Sequence, residues 1–183
     1  MTKDHGKLRI LNSQTFYKGK VVELRLDRVV EPGGVMALRE VVCHPGSVVV
    51  LPLLPSGQVV MVRQYRYATR QWLWELVAGG IEAGETYRQA ARRELQEETG
   101  YRAREIRLRF DFYPSPGFLS ERMFLVEARG LKKSEARPEA DERIEVGHFT
   151  LAQVARMLRR REIRDGKTLI GLLWLLQERS GGI

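Results

Sequence analysis

With 183 residues, 43% of them hydrophobic and 30% charged, the chain has the size and balance of one soluble globular domain, not of a disordered polymer. The apolar stretch Leu169 to Leu176 is far shorter than the ~20 residues a membrane span needs, the first residues lack an apolar signal core, and a lone cysteine, Cys43, excludes an internal disulfide, so the expected home is the cytoplasm. The net charge of +8, carried mostly by arginine, attracts small phosphorylated ligands and polyanions alike and does not separate them.

Residues 1–15 read as a poorly ordered lead-in. Phe16 to Val30 has strand composition, with Lys18-Gly19-Lys20 as a turn before an alternating Val21–Asp27. Pro32-Gly33-Gly34 turns the chain into a returning strand, Met36–Cys43. These segments form an expected small N-terminal antiparallel sheet. Val48–Leu54 is continuously apolar, as a strand covered on both faces would be. Gln58–Gln64 returns after Pro55-Ser56-Gly57, and Trp72–Val77 is a further short strand. Ala78-Gly79-Gly80-Ile81-Glu82-Ala83-Gly84-Glu85 reads as a glycine-rich loop. Thr86–Thr99 is a helix closed by Gly100. Strands follow near Glu105–Tyr113, Arg122–Ala128 and Ile144–Phe149, then helices over Leu151–Arg161 and Thr168–Arg179. This mixed order predicts an α/β or α+β sandwich, with residues 1–45 as the N-terminal sheet and 46–183 as the main domain.

The helix at 86–99 carries the chemistry. At 100° per residue, Arg88, Gln89, Arg92, Arg93, Gln96 and Thr99 share a polar arc. Glu94, Glu97 and Glu98 fall opposite, among Tyr87, Ala90 and Ala91. The ordinary reading of such a glutamate-rich helix is a solvated face with i,i+4 pairs such as Arg93–Glu97. Carboxylates beside small apolar residues instead repel one another and lose hydration. A divalent cation relieves that penalty, and oxygen-only donors select Mg²⁺ or Mn²⁺. Mg²⁺ commonly completes its shell with substrate phosphate, so phosphoryl or pyrophosphoryl chemistry with attack by water is expected. Gly79, Gly80 and Gly84 allow close backbone approach just before this helix.

Gly79, five residues, Glu85, seven residues and then Arg93-Glu94-Leu95-Gln96-Glu97-Glu98-Thr99-Gly100-Tyr101 resemble the Nudix box at every fixed position, with Tyr101 where an aliphatic residue is usual. The resemblance implies a Nudix α/β/α sandwich and a hydrolase of nucleoside diphosphates linked to another group. It implies Glu94 and Glu98 as principal metal ligands with Glu97 assisting, the carbonyl of Ala78 as a further ligand, and Arg93 orienting the carboxylates. Glu85 would support the loop.

Outside the box, Ser115-Pro116-Gly117-Phe118 places Pro116 where the ADP-ribose pyrophosphatase branch has a proline. Val62-Arg63-Gln64-Tyr65-Arg66 resembles that branch's strand before the box, with Arg66 expected on the substrate phosphates, and Glu75 precedes the box as in that branch. Residues 139–146 resemble its acidic loop, in which Glu142 is the candidate general base or water-positioning group and Glu139 the alternative. Asp165-Gly166-Lys167-Thr168 before an apolar helix is also similar. By the same resemblance Glu121 contacts the terminal ribose, Val21 and Glu40 contact adenine from the other protomer, and the assembly is a homodimer.

The implied reaction splits ADP-ribose into AMP and ribose 5-phosphate. GDP-mannose, another nucleotide sugar or FAD are alternative substrates. An RNA-directed role, motivated by Arg102/Arg104/Arg107/Arg109 and Arg156/Arg159/Arg160/Arg161/Arg164, is weaker, because no aromatic residues interleave these clusters as in a stacking platform. A ligand-sensing regulator would have lost the box carboxylates, which this chain keeps. His44 and His148 have no metal-ligand spacing. Of Trp72 and Trp74, one is expected in the core and the other lining the pocket; Trp174 is expected in the core.

Overall fold

The computed structural model describes residues 6–136 and 143–181. They divide into two compact units, one running to Gly46 and taking in Tyr113–Arg122, the other comprising Ser47–Phe112 and the chain from Met123 on.

The first unit is an antiparallel sheet of β1 (Arg9–Lys18), β2 (Glu23–Val30) and β3 (Met36–Cys43) in that order. The expected disordered lead-in is therefore wrong for residues 9–15. Every residue of β1 is exposed, so no hydrophobic alternation marks it; hydrogen bonds to β2 fix it, from Arg9 opposite Val30 to Lys18 opposite Glu23. Val21 lies in the β1–β2 turn, outside the strand expected to begin with it. The inserted Tyr113–Arg122 joins the unit through the Val42–Leu119 bridge.

The second unit holds two sheets. β4 (Ser47–Pro52) is central in the order β7-β4-β9-β8, with β7 (Val77–Gly80), β8 (Tyr101–Phe112) and β9 (Met123–Lys133). β5 (Val59–Arg66) lies between β10 (Ile144–Phe149) and β6 (Gln71–Glu75). β4 is buried along its whole length, and its alternation splits the core. Val48 and Val50 join Val77, Ala90, Ala91 and Leu95 beneath α1 (Tyr87–Thr99). Val49 and Leu51 join Val154, Met157, Leu172 and Leu175 beneath α2 (Leu151–Arg159) and α3 (Gly166–Arg179). One helix on one side and two on the other make the α/β/α sandwich, because a strand covered on both faces needs a helix layer for each.

Three expectations change. The segment after Pro55-Ser56-Gly57 does not run back along β4 as a hairpin; beyond a single Leu53–Val59 bridge it enters the other sheet. Trp72–Val77 is not one strand but the end of β6 and the start of β7. Ala78-Gly79-Gly80 is not loop: Val49 pairs with Ala78, Val48 with Gly79 and Ser47 with Gly80. Glycine lowers strand propensity, but β7 needs only a neighbour with open hydrogen-bonding groups, and β4 supplies it. Two strands also run longer than their apolar cores suggest, since the β8–β9 ladder persists to Tyr101 opposite Lys133.

Candidate active site

Helix α1 is built from its ends inward. Thr86 caps it, its side chain accepting from the Gln89 amide while Gln89 returns a contact to the Thr86 backbone, the reciprocal arrangement that satisfies two orphan donors. Gly100 closes it at φ 68°, a left-handed conformation that glycine adopts without strain. Ala90, Ala91 and Leu95 are buried against the sheet; full burial of Leu95 alone contributes roughly 2–3 kcal/mol. Thr99, expected on the solvated arc, is buried instead, its hydroxyl donating to the Leu95 carbonyl.

This docking turns the carboxylates inward to different depths. Glu98 is only 5% exposed. Glu94 keeps 12% of its side-chain surface and Glu97 keeps 34%, so Glu97 sits at the rim. Val77 and Gly79 alternate toward α1, and the Glu94 carboxylate lies against Gly79 so closely that a Cβ there would meet Oε1 at 2.0 Å.

Arg93 ties the loop, strand and helix together. Its Nε and Nη2 each donate to Glu85 at 3.0 Å, its Nη1 to Glu94 at 2.7 Å and to Glu97 at 3.2 Å, and its Nη2 also to the Gly80 carbonyl at 2.9 Å. Hydrogen bonding to Glu85 raises the Arg93 pKa well above its ordinary value, and the same bonds hold the Glu85 carboxyl below the usual range. The Arg93–Glu97 pair expected from spacing is thus one contact of a larger hub.

Arg66, at the end of β5, grips Glu75 of β6 in a fork: Nε to Oε1 at 2.8 Å and Nη2 to Oε2 at 2.7 Å. Glu75 is 1% exposed. Burial pushes its carboxyl up, but the Arg66 bonds and the Lys167 charge outweigh this and leave it below the usual value. Lys167 Nζ lies 2.6 Å from Glu75 Oε2 and 2.9 Å from Asp165 Oδ1. The Arg66 pKa is raised, first by the bond to Glu75, with further contributions from the charges of Glu98 and Asp165. Arg66 therefore lies within electrostatic reach of the carboxylate helix.

The main unit thus brings Ala78, Arg93, Glu94, Glu97, Glu98 and Arg66 into neighbouring elements. Among the described residues no three acidic, histidine or cysteine side chains already converge as a metal cage; Arg93 lies between Glu94 and Glu97. The donors are all hard oxygen atoms on one helix face, one carboxylate is nearly buried, and a Cβ-free position keeps Glu94 at the β7 backbone. That set suits Mg²⁺ or Mn²⁺ and not a thiophilic ion.

The remaining candidates belong to the first unit. Val21 is exposed and lines a shallow pocket of about 250 Å³ with Lys18, Glu23, Cys43 and His44. Glu40 is exposed on β3, opposite Leu26. Pro116 sits in a turn closed by Leu119 N donating to Ser115 O at 3.0 Å. Glu121 faces His44 Nδ1 at 3.6 Å. Glu142 and Glu139 lie outside the described residues. Sequence reasoning missed Lys167 as a partner of Glu75; a cation 92 residues further along the chain leaves no local signal.

The chain is also similar to known proteins. The NUDIX domain family matches residues 44–170, and the chain belongs to that family. The methanol dehydrogenase activator of Bacillus methanolicus is 37% identical over 179 residues, spanning 94% of this chain and 97% of that protein. The ADP-ribose pyrophosphatase of Bacillus subtilis (strain 168) is 35% identical over 169 residues, 91% of each chain. A crystal structure of an ADP compounds hydrolase superposes with a TM-score of 0.82 at 22% identity over 96% of both chains, which establishes the shared fold.

Proposed function

We propose that this protein hydrolyses the diphosphate of ADP-ribose to AMP and ribose 5-phosphate with Mg²⁺, Mn²⁺ being a possible substitute. The observation that carries the proposal is the Arg93 hub, which gathers Glu85, Glu94 and Glu97 beside a nearly buried Glu98. The B. subtilis relative of that name supports the substrate. Glu94, Glu98 and Glu97, with the Ala78 carbonyl, are the proposed metal ligands. When bound, the metal would neutralise the diphosphate and lower the pKa of the attacking water.

The chain's own residues have separate roles. Arg66 presents a fixed positive charge that offsets the charge of the diphosphate, in the bound substrate as well as during attack. Arg93 spaces the carboxylates and limits their mutual repulsion. Glu142, or alternatively Glu139, takes the proton from the water or positions it for attack. Glu121 is the proposed contact to the terminal ribose, Val21 and Glu40 of the other protomer are the proposed contacts to adenine, and Pro116 is a further proposed substrate-binding residue.

A homodimer is supported by the first unit, whose Leu8, Ile10, Phe16, Val21, Met36 and Leu38 are all more than half exposed, an apolar surface a second copy could cover. Among the described residues no helix is long and apolar enough to cross a membrane, and a cytoplasmic location is proposed. Against an RNA-directed role, Arg107 pairs with Glu105, Arg109 with buried Glu127, and Arg164 donates to Gln71. A panel of ADP-ribose, GDP-mannose, FAD, diadenosine polyphosphates and triphosphate-capped RNA, assayed with Mg²⁺, tests the proposal. ADP-ribose turned over fastest, releasing AMP, is expected; capped RNA preferred by a wide margin overturns it.

A further inference from the structure

The arginine assigned to the diphosphate is itself held, and the holding group comes from a distant helix. The Nε/Nη2 edge of Arg66 is committed to Glu75, which leaves its Nη1 edge outside that fork. Arg66 is 39% exposed on its side chain and Glu75 only 1%. A carboxylate so deeply placed needs compensation that does not vanish when the guanidinium turns part of its charge to a ligand. Lys167 supplies it: its side chain is 11% exposed and bridges Glu75 Oε2 and Asp165 Oδ1.

The bridge is anchored at both ends. Asp165 caps α3, its Oδ2 accepting from the Thr168 amide at 3.0 Å and from the Thr168 hydroxyl at 2.6 Å. The Thr168 hydroxyl oxygen in turn accepts from the Leu76 amide at 2.8 Å. The first turn of α3 therefore grips Glu75 and Leu76, where β6 gives way to β7. That junction joins the partner of Arg66 to the strand carrying Ala78 and Gly79. Stability alone does not require such ions, since a buried ionic network can often be replaced by apolar side chains of like volume without loss.

We propose that Lys167 is a positioning residue for the substrate diphosphate: it fixes Glu75, and through Glu75 it aims Arg66. This rests on the ADP-ribose reading above. Lys167 would act on substrate affinity more than on the chemical step, because the group it aims binds phosphate before and during attack.

The test uses the full chain with Mg²⁺ in four forms: wild type, Lys167→Met, Arg66→Lys and the double variant. KM and kcat are measured for ADP-ribose, and Kd for its non-hydrolysable α,β-methylene analogue by calorimetry. Lys167→Met is expected to raise KM and Kd about tenfold while kcat changes by less than about threefold, the size of one charge-assisted contact partly lost. The double variant is expected to be no worse than Arg66→Lys alone, because both changes act through one group. Wild-type KM and Kd in Lys167→Met, even with a lowered melting temperature, overturn the proposal, and so do additive effects in the double variant. Should Lys167→Met fail to fold, Lys167→Gln, which keeps a hydrogen-bond donor without the charge, decides by the same two constants. A wild-type protein that neither hydrolyses ADP-ribose nor binds the analogue overturns the underlying reading instead, an outcome that no comparison among the variants reproduces.

Discussion

Replacing Gly79 by alanine separates the site's geometry from the fold's stability. A Cβ at this position would lie 2.0 Å from Glu94 Oε1, 2.1 Å from Cδ and 2.4 Å from Oε2. Ordinary contact begins near 3.4 Å, so the nearest oxygen must retreat by about 1.4 Å. It is the end of a flexible side chain, and Gly79 is not among the glycines with positive φ, so β7 accepts alanine without backbone strain. Loss of unfolded-chain entropy even favours the variant by roughly 0.4–1 kcal/mol. A displacement above 1 Å in a positioned catalytic group costs on the order of a hundredfold, about 2.7 kcal/mol of transition-state stabilisation. Gly79→Ala is therefore expected to keep its melting temperature within a few degrees and to lose about a hundredfold in kcat/KM for ADP-ribose. Steady-state kinetics beside a thermal melt reads both. Wild-type kcat/KM in a folded Gly79→Ala would show that the placement of Glu94 against β7 does not matter to the reaction.

Glu98→Gln keeps the shape of the buried side chain and removes its charge; kcat is expected to fall by at least about a hundredfold with unchanged circular dichroism, and full activity would remove Glu98 from the proposed metal site. Thr168→Val deletes the acceptor of the buried Leu76 amide, which should cost about 1–3 kcal/mol of stability; an unaltered melting curve would mean that this bond contributes nothing. Glu75, Glu85 and Glu127 are all held below the ordinary carboxyl value of 4.5. The folded state then binds fewer protons than the unfolded one in the acid range, so their contribution is complete above pH 4.5 and is lost as pH falls through the lowered values. The melting temperature should accordingly decline on acidification below about pH 4.5, and a rise there would reverse the sign of this linkage.

Local signals made much of the fold legible. Helix α1 follows from Thr86, Gly100 and the apolar positions Ala90, Ala91 and Leu95, and the Glu94/Glu97/Glu98 pattern stands out because three carboxylates beside Ala90 and Ala91 repel one another and lose hydration. What stayed hidden depends on distant partners. β1 is drawn into order by β2 although none of its side chains is buried. Ala78-Gly79-Gly80 looks like loop until β4 lies beside it. The apolar run Val59–Val62 looks the same whether it returns along β4 or enters another sheet. The Glu75–Lys167 contact could not be inferred at all, since it joins segments that are unrelated until α3 packs.

The central strand also has consequences for synthesis. β4 pairs with β9 in parallel, from Ser47 beside Met123 to Pro52 beside Ala128. On a ribosome adding about 5–20 residues per second, Val48-Val49-Val50-Leu51 waits roughly 4–15 s for that neighbour. During the interval an apolar ribbon, with both edges open until Val77–Gly80 arrives and one edge open thereafter, is exposed to other nascent chains. Newborn copies are thus most vulnerable to clumping midway through translation, and a holding chaperone would be of most use there.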